Sequence, residues 1–184
     1  MEIRESKWIE NFKENWISGN EIKTSQKLYK DARMFYESID ESLDPQTVMY
    51  TVYSCEQGEI KTGNLNWGLS VLEPVTVKGE CNVTRGHFHE DLDCDEIYVC
   101  AQGEGFLLLM DADGKCTAEI MKPGSIHHID GHQAHRLVNT GDTQLAVMCC
   151  WPSTAGHDYG RVEALPFSVR AFKCDNKIIW KEGE

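Results

Sequence analysis

The chain has 184 residues, of which 41% are hydrophobic and 26% charged, and this is enough for one globular domain with a sizeable core. Acidic residues number 30 and basic residues 18, so the net charge of -12 leaves no basic surface for a nucleic-acid backbone. No stretch approaches the ~18 apolar residues of a membrane span, and the highly charged first 20 residues do not resemble a signal peptide. We therefore expect no nucleic-acid partner, no membrane partner and a cytoplasmic location.

The cysteines agree with that location. There are eight of them, and they form neither a CxxC pair nor a pattern that follows a signal sequence. Free thiols in a reducing cytosol are therefore expected rather than disulfides.

The first part of the chain, residues 1–45, is predicted to be a helical or irregular arm. Its large apolar residues recur at roughly helical spacing, as Trp8, Ile9, Phe12 and Trp16. The pair Asp44 and Pro45 marks a break at its end. We expect this arm to cover a sheet or a partner subunit and to carry no chemistry.

From Thr47 onward the pattern changes to short β-branched and aromatic runs separated by turn residues. The runs are TVMYTVYSC, LNWGLSVLEPVTV, EIYVC, GFLLLM, TAEIM, HRLVN, QLAVMCCW, FSVRAF and KIIW. About nine strands at this density predict an antiparallel sandwich or small barrel over residues 46–184 rather than alternating βαβ units.

The segment TRGHFHEDLDCDEIYVC carries two histidines and a glutamate in close order. His87 and His89 are two residues apart, so on a strand their side chains leave the same face about 7 Å apart and can converge on one ion. Glu96 opens the following apolar run, so an adjacent antiparallel strand can bring its carboxylate alongside. His135, just before another strand, is a fourth candidate that a barrel can return to the same cavity.

Three imidazoles and one carboxylate favour a borderline divalent ion such as Fe, Mn, Ni, Co or Zn over Ca or Mg, which prefer oxygen ligands. Four protein ligands leave two positions open on an octahedral ion, which favours a reactive site over a closed structural one. HxH alone is a weak signal. Its combination with Glu96, Gly103, Gly124, His135 and Asn139 supports the metal prediction.

The remaining histidines and cysteines fit the metal less well. His127 and His128 are adjacent on a predicted strand, so at most one can face inward, and His132 lies in a turn. Cys94, in the loop before the glutamate, is expected to be a bystander. Cys149 is interpreted as a small apolar strand residue, a common use of free cysteine.

At this point the residues resemble the two cupin signature motifs, with a longer gap than usual before the glutamate. Asp130 and His132 stand where a proline and a glycine are usual, a departure that affects a turn and not the metal. Within the cupins, the segments TRGHFH, EIYV, AHRLVNTGD and above all AGHDYG resemble the cupin-type glucose-6-phosphate isomerases, from about Asp44 to Phe172. The resemblance implies an all-β cupin fold, a small antiparallel β-barrel or jelly roll, here with the N-terminal helical or irregular extension, and a homodimer.

The resemblance also implies roles for individual residues. The metal ligands would be His87, His89, Glu96 and His135, holding one divalent ion of Fe, Mn, Ni or Zn. The sugar-phosphate site would be lined by Tyr50, Ser70, Thr84, Gly86, Tyr98, Trp151, His157 and Tyr159. Ser70 replaces the usual threonine, Arg85 a common lysine, and Trp151 a tyrosine, so one hydroxyl contact is lost at Trp151.

The implied reaction interconverts glucose 6-phosphate and fructose 6-phosphate, as in glycolysis and gluconeogenesis. Glu96 is the expected base, shuttling a proton between C1 and C2 across an enediol, although metal coordination lowers its basicity. A metal-polarised hydride shift avoids that difficulty, and the sequence leaves both open. His157 is the expected proton carrier near O5 during ring opening.

Two other functions use the same fold. A cupin dioxygenase has nearly the same ligand set, but the polar AGHDYG segment argues against an apolar substrate. A non-catalytic sugar-binding cupin often lacks one of the ligands, and this chain has all four.

Overall fold

Antiparallel strands account for most of the regular secondary structure in the computed structural model, which describes residues 1–56, 58–175 and 177–182. In chain order the strands are β1 (Trp8–Asn11), β2 (Trp16–Gly19), β3 (Ile22–Leu28), β4 (Val48–Cys55), β5 (Leu65–Leu72), β6 (Thr76–Val77), β7 (Glu80–Val83), β8 (Glu96–Gln102), β9 (Gly105–Met110), β10 (Cys116–Met121), β11 (Ile126–Ile129), β12 (Ala134–Asn139), β13 (Leu145–Pro152), β14 (Val169–Cys174) and β15 (Lys177–Glu182). Two short helices, α1 (Tyr29–Ala32) and α2 (Tyr159–Ala164), and a 3-10 turn at Arg33–Phe35 complete the secondary structure of these residues. None of the described helices is long and apolar enough to cross a membrane.

Two large sheets face each other across the core. One has the strand order β11-β8-β13-β5-β4-β3, and the other has the order β10-β9-β12-β7-β14-β15 with β6 beside β7. Inward side chains of both sheets, such as Leu72 and Val147 from one and Leu107 and Leu137 from the other, are fully or almost fully buried in one cluster. Each such side chain contributes about 1.5–3 kcal/mol on burial. The predicted all-β cupin barrel is confirmed.

The expectation of a helical or irregular N-terminal arm is wrong for the three strands that lie within residues 8–28. Strands β1 and β2 form a hairpin, because the Asn11 side chain accepts hydrogen bonds from the amides of Lys13 and Glu14, and Asn15 adopts a left-handed φ of 54°. An Asx turn between two short strands places apolar residues at intervals that mimic a helical period. Before residue 46 the helical residues are those of α1 and of the 3-10 turn that follows it.

The hairpin packs on the outer face of the first sheet. Ile17 is buried with Leu69 and Val71, and the ring of Trp8 meets that of Trp67 edge-on at 5.4 Å. Strand β3 pairs with β4 as an edge strand of the same sheet, so residues 22–28 are hydrogen-bonded to the barrel. The division into an arm and a barrel at residue 45 stays a prediction.

Strand β7 is absent from the predicted runs because two of its four residues, Glu80 and Asn82, are polar and give no apolar run in the sequence. Both are nevertheless buried. Glu80 forms an ion pair with Arg170 at 2.8 Å, and the Asn82 amide donates to the carbonyl oxygens of Met49 and Glu73. These hydrogen-bond and ion-pair partners allow polar side chains to be buried, so the strand needs no apolar run that a sequence pattern could reveal.

Candidate metal centre

The two sheets supply the four candidate ligands from opposite sides. His87 and His89 follow β7, and His87 exchanges two backbone hydrogen bonds with His135 of β12, at 3.3 and 3.1 Å. Glu96 begins β8 in the other sheet, whose neighbours are β11 and β13. The expectation that an adjacent strand delivers Glu96 was therefore wrong: its carboxylate reaches the histidines across the barrel interior.

The four side chains gather tightly. One ligand atom from each of His87, His89, Glu96 and His135 lies within 4.8 Å of all the others. The Glu96 Oε2 atom is 3.3 Å from His89 Nε2 and 3.2 Å from His135 Nε2. Such spacing is what donors around a common ion require, since metal to nitrogen and metal to oxygen distances are each about 2 Å.

The loop before Glu96 fixes the orientation of one imidazole. His89 Nδ1 donates to the backbone carbonyl of Cys94 at 2.6 Å, which leaves the Nε2 lone pair for the cluster. The Cys94 thiol instead contacts Asp91 and Thr154, and it is not part of the ligand group. The expectation that this thiol is a bystander therefore agrees with its contacts, while its carbonyl has an orienting role that the sequence did not reveal.

The donor set fits a divalent cation. His87 Nε2 and both ring nitrogens of His135 are buried and have no hydrogen-bond partner among the described residues. The 3.2 Å contact from His135 to Glu96 lacks hydrogen-bond geometry, so it does not satisfy the ring. Buried polar atoms without partners are costly, and a bound ion would satisfy them.

The protonation states agree with a cation site. Burial and three neighbouring imidazoles hold the pKa of His87 well below its usual value, so the ring is neutral and offers a lone pair. Burial raises the pKa of Glu96, but contacts with His135 and His89 outweigh it and the net shift is downward. Burial lowers the pKa of His89, but hydrogen bonds with Glu96 and the Cys94 carbonyl outweigh it and the net shift is upward. The centre therefore presents one carboxylate, the neutral ring of His87 and an imidazole at His89 that this carboxylate stabilises.

The centre opens into a cavity of about 140 Å³ between the sheets. All eight residues expected at the sugar-phosphate site line it: Tyr50, Ser70, Thr84, Gly86, Tyr98, Trp151, His157 and Tyr159. Their roles toward a substrate stay predictions. Burial raises the pKa of Tyr50 to about 12, so this phenol is a neutral hydrogen-bond donor at physiological pH.

The AGHDYG segment is held against the histidine strand. Backbone hydrogen bonds join Phe88 and Asp158 in both directions, at 3.4 and 2.8 Å, and the Asp158 side chain caps α2 by accepting from the Arg161 amide. Side chains on either side of Asp158 therefore share a face, and the rings of His157 and Tyr159 stack at 5.9 Å. The His157 ring lies 4.4 Å from that of His87.

Gly156 allows the AGHDYG segment to pass close to the Glu90 side chain. Its φ is +65°, and a Cβ atom there would lie 2.5 Å from the Glu90 carboxylate. Loss of surrounding water lowers the pKa of His157, while Glu96 partly opposes the shift.

Residues outside the predicted set also line the cavity, notably Arg85, Cys149 and Leu137. Cys149 had been interpreted as an ordinary apolar residue. It lies two positions before Trp151 on β13, and side chains two apart on a strand share a face. Trp151, expected at the cavity, therefore predicts that Cys149 faces the cavity as well. Burial holds the pKa of this thiol well above its usual value.

The other histidines do not join the centre. His127 is buried, with Nδ1 2.6 Å from Glu119 Oε2 and Nε2 2.8 Å from Ser125 Oγ. His128 points outward and contacts Asp95 at 2.9 Å. This inward and outward alternation is the one expected for adjacent residues on a strand.

A barrel of two antiparallel sheets, with three histidines and one glutamate converging beside an internal cavity, defines a cupin with a cluster suited to a divalent metal ion. The family model for glucose-6-phosphate isomerase matches residues 21–180. The chain belongs to the cupin-type glucose-6-phosphate isomerase family.

Two relatives and one solved structure are similar to this chain. The glucose-6-phosphate isomerase of Thermococcus litoralis is 34% identical over 95% of this chain and 88% of its own length. That of Pyrococcus furiosus is 39% identical over 76% of this chain and 72% of its own length. Among solved structures, a mutant of Bacillus subtilis oxalate decarboxylase has a TM-score of 0.47 at 17% identity, covering 59% of this chain and 27% of that chain.

Proposed function

We propose that the cavity binds glucose 6-phosphate and fructose 6-phosphate with the C1 and C2 end at the histidine cluster and the phosphate near residues 84–86. The observation that carries this proposal is the convergence of four ligand atoms within 4.8 Å at a cavity lined by all the residues expected to contact the sugar. The reaction belongs to glycolysis and gluconeogenesis.

The residues that would hold the metal are His87, His89, Glu96 and His135, and the mixed nitrogen and oxygen donors suit Fe, Mn, Ni or Zn. When bound, such an ion supplies Lewis-acid polarisation of the substrate's C1 and C2 oxygens. The neutral ring of His87 keeps its lone pair available, and the Cys94 carbonyl accepts from His89 Nδ1, so that His89 Nε2 faces the cluster.

Glu96 is the proposed base between C1 and C2. Its contacts with His89 and His135 use Oε2, so Oε1 is the oxygen assigned to the substrate proton. A carboxylate on one face of the sugar can take the proton from one carbon and return it to the next. Its lowered pKa weakens it as a base, which keeps the hydride shift as the alternative route.

His157 is the proposed proton carrier for ring opening. The ring is held at the cavity wall between Tyr159 and His87, and the downward shift of its pKa keeps it neutral, so it can both accept and return a proton. Tyr159 stacks on it in parallel, which limits its rotation.

The phosphate end is assigned to hydroxyls and backbone amides. Thr84 is fixed to β12, with its amide donating to the Leu137 carbonyl at 3.1 Å and its Oγ1 accepting from the Leu137 amide at 3.0 Å. Tyr50 and Gly86 line the same cavity, and the Tyr50 hydroxyl and the Gly86 amide are the groups assigned to the phosphate there. Donors of this kind bind a phosphate without a P-loop.

We also assign a homodimer and a cytoplasmic location to the protein. Ile97 and Ile126 are 38% and 71% exposed on one outward face of β8 and β11, an apolar surface that a second copy could cover. The eight cysteines are free, as in a reducing compartment. Sedimentation of the purified protein and fractionation of cells test these two assignments.

The function is tested by assaying fructose 6-phosphate conversion on chelator-stripped protein after refilling with Mn, Fe, Ni or Zn in turn. We expect turnover with at least one metal and no oxygen consumption. Oxygen uptake without isomerisation would instead support a dioxygenase. Running the reaction in D₂O separates the two routes, because an enediol exchanges the transferred hydrogen with solvent and a hydride shift does not.

A further inference from the structure

Arg136 is a buried cation directly behind the segment assigned to the phosphate. Its side chain donates from Nε to the Thr84 carbonyl at 2.9 Å and from a terminal nitrogen to the Arg85 carbonyl at 3.2 Å. The residue is only 8% exposed and does not line the cavity. It therefore contacts the backbone of this segment from the side away from the substrate.

The geometry of the peptide bond determines what this contact does. A trans peptide points its carbonyl and its amide in opposite directions. Since the carbonyls of Thr84 and Arg85 face the guanidinium, the amides that follow them, those of Arg85 and Gly86, face the cavity. Both Arg85 and Gly86 line that cavity, which agrees with this orientation.

Gly86 completes the arrangement. Its φ of +76° belongs to the left-handed region, and successive amides around such a residue form a concave anion site. A Cβ atom at Gly86 would lie 2.7 Å from the Phe167 ring and 3.0 Å from the Arg136 Cβ atom. The Arg136 guanidinium also stacks over the Phe167 ring at 4.8 Å, so the segment is packed tightly against its support.

The charge balance around Arg136 is incomplete. Among the described residues, no carboxylate lies within ion-pair distance of its guanidinium, whereas the nearby Arg170 pairs with Glu80 at 2.8 Å. A buried cation without a counter-charge is costly, and an anion bound on the far side of the two peptides would balance it.

We propose that Arg136 is a positioning residue for the substrate phosphate, which orients and polarises the amides of Arg85 and Gly86 so that they bind the anion. This inference rests on the proposed phosphate position. The guanidinium acts through two peptide dipoles and does not touch the substrate itself, so it determines affinity for the phosphate and not the chemistry at C1 and C2.

The test compares Arg136→Met with a matched control, Arg161→Met. Arg161 also lies over an aromatic ring, 3.9 Å from that of Phe88, but it makes no side-chain hydrogen bond to residues 84–86. The measurements are kcat and KM for fructose 6-phosphate, the metal content, calorimetric binding of inorganic phosphate, and inhibition by sorbitol, a neutral hexitol.

For Arg136→Met we expect the phosphate Kd and the KM to rise together by about tenfold, less than the loss from deleting a charge-stabilising donor outright. The kcat and the sorbitol inhibition constant should stay within about twofold of the wild type, because the C1 and C2 end of the site is untouched. The metal content should stay at one ion per chain. The Arg161→Met control should bind phosphate like the wild type.

An unchanged phosphate Kd in Arg136→Met overturns the inference, and so does an equal loss of phosphate and sorbitol affinity, which a merely structural role would give. If that variant does not fold, Arg136→Lys replaces it, since lysine keeps the charge without the planar fork that spans two carbonyls. Phosphate binding like the wild type in Arg136→Lys would then refute it. Absence of isomerisation in the wild type would instead remove the proposed function, while the calorimetric result still decides the role of Arg136.

Discussion

Two groups of buried histidines lie in the same barrel and differ in how their ring nitrogens are satisfied. At the edge of the barrel, both nitrogens of His127 have partners, Glu119 on β10 and Ser125 in the following turn. Inside the barrel, His87 and His135 have ring nitrogens without a hydrogen-bond partner in the described chain. The first histidine is complete as a structural residue, and the second group is complete only with a ligand.

This difference shows that burial alone does not mark a functional histidine. A structural histidine replaces its hydrogen bonds to water with hydrogen bonds to protein groups when the chain folds. In a metal site, ring nitrogens stay without protein partners and point at a common position that an ion can occupy. The contrast can be tested by substitutions whose effects we expect to run from complete loss of turnover to a small change in stability.

The largest effect is expected for Glu96→Gln. This change removes the proposed base, which is worth about 10²–10⁴-fold, and weakens one metal ligand while preserving the shape of the side chain. Turnover should be abolished in the coupled assay, with partial metal retention by elemental analysis. Full activity of the glutamine variant would rule out the assignment of Glu96 as the base.

The direct comparison of the two groups pairs His135→Ala with His127→Ala. Loss of His135 should remove the metal and lower kcat/KM by about a thousandfold, because several kcal/mol of charge stabilisation are lost and ~1.4 kcal/mol is tenfold. His127→Ala should keep metal and activity within about twofold while lowering the free energy of unfolding by about 1 kcal/mol. Equal losses of activity in the two variants would remove the distinction.

A smaller effect is expected for His157→Gln, which keeps the metal ligands and removes the proton carrier. The kcat should fall by about 10–100-fold with metal content unchanged, at the lower end of losses in general acid-base catalysis. A substrate that is already open-chain should be converted almost as fast by the variant as by the wild type. If both substrates are slowed equally, ring opening is not the step that His157 serves.

The smallest effect concerns Glu10 in the hairpin, whose carboxylate oxygens are also buried without a partner among the described residues but have no ligand-type neighbours in a cluster. Burial raises its pKa in the folded state, so the ionised form opposes folding above that pKa. Glu10→Gln should stabilise the protein at pH 7 by less than about 1 kcal/mol, since water reaches part of the side chain.

Urea denaturation at two pH values checks the sign of the Glu10 effect. The advantage of Glu10→Gln should disappear as the pH falls toward about 4, because the carboxyl group is then protonated in the folded wild type as well. Destabilisation at pH 7, or metal binding that depends on Glu10, would contradict the distinction between an isolated buried carboxyl and a ligand cluster.

The strands of the barrel and the grouping of His87, His89, Glu96 and His135 could be predicted from the sequence because their signals are local. Alternation marks strands such as β8 and β13, and the spacing of His87 and His89 fixes a common face. The sequence could not show that Glu96 reaches them from the opposite sheet, because the pairing of distant strands is not encoded in their spacing.

The strands of the N-terminal arm and the contact of Arg136 with the backbone of residues 84–85 could not be predicted, for related reasons. The Asx turn at Asn11 places Trp8 opposite Gly19 and Trp16 opposite Asn11 in a hairpin, while the spacing of the two tryptophans along the chain fits a helix equally well. Arg136 resembles a surface cation in the sequence, and only the backbone of residues 84–85 gives it buried partners.

The central claim is that the three histidines and Glu96 hold one divalent ion on which isomerisation depends. The most direct measurement is the rate of fructose 6-phosphate conversion by chelator-stripped protein as a single metal is added in known equivalents. The rate should start near zero and rise linearly to a plateau at one equivalent per chain, and His135→Ala should stay inactive throughout. Full activity of the stripped wild type before any metal is added would contradict the account.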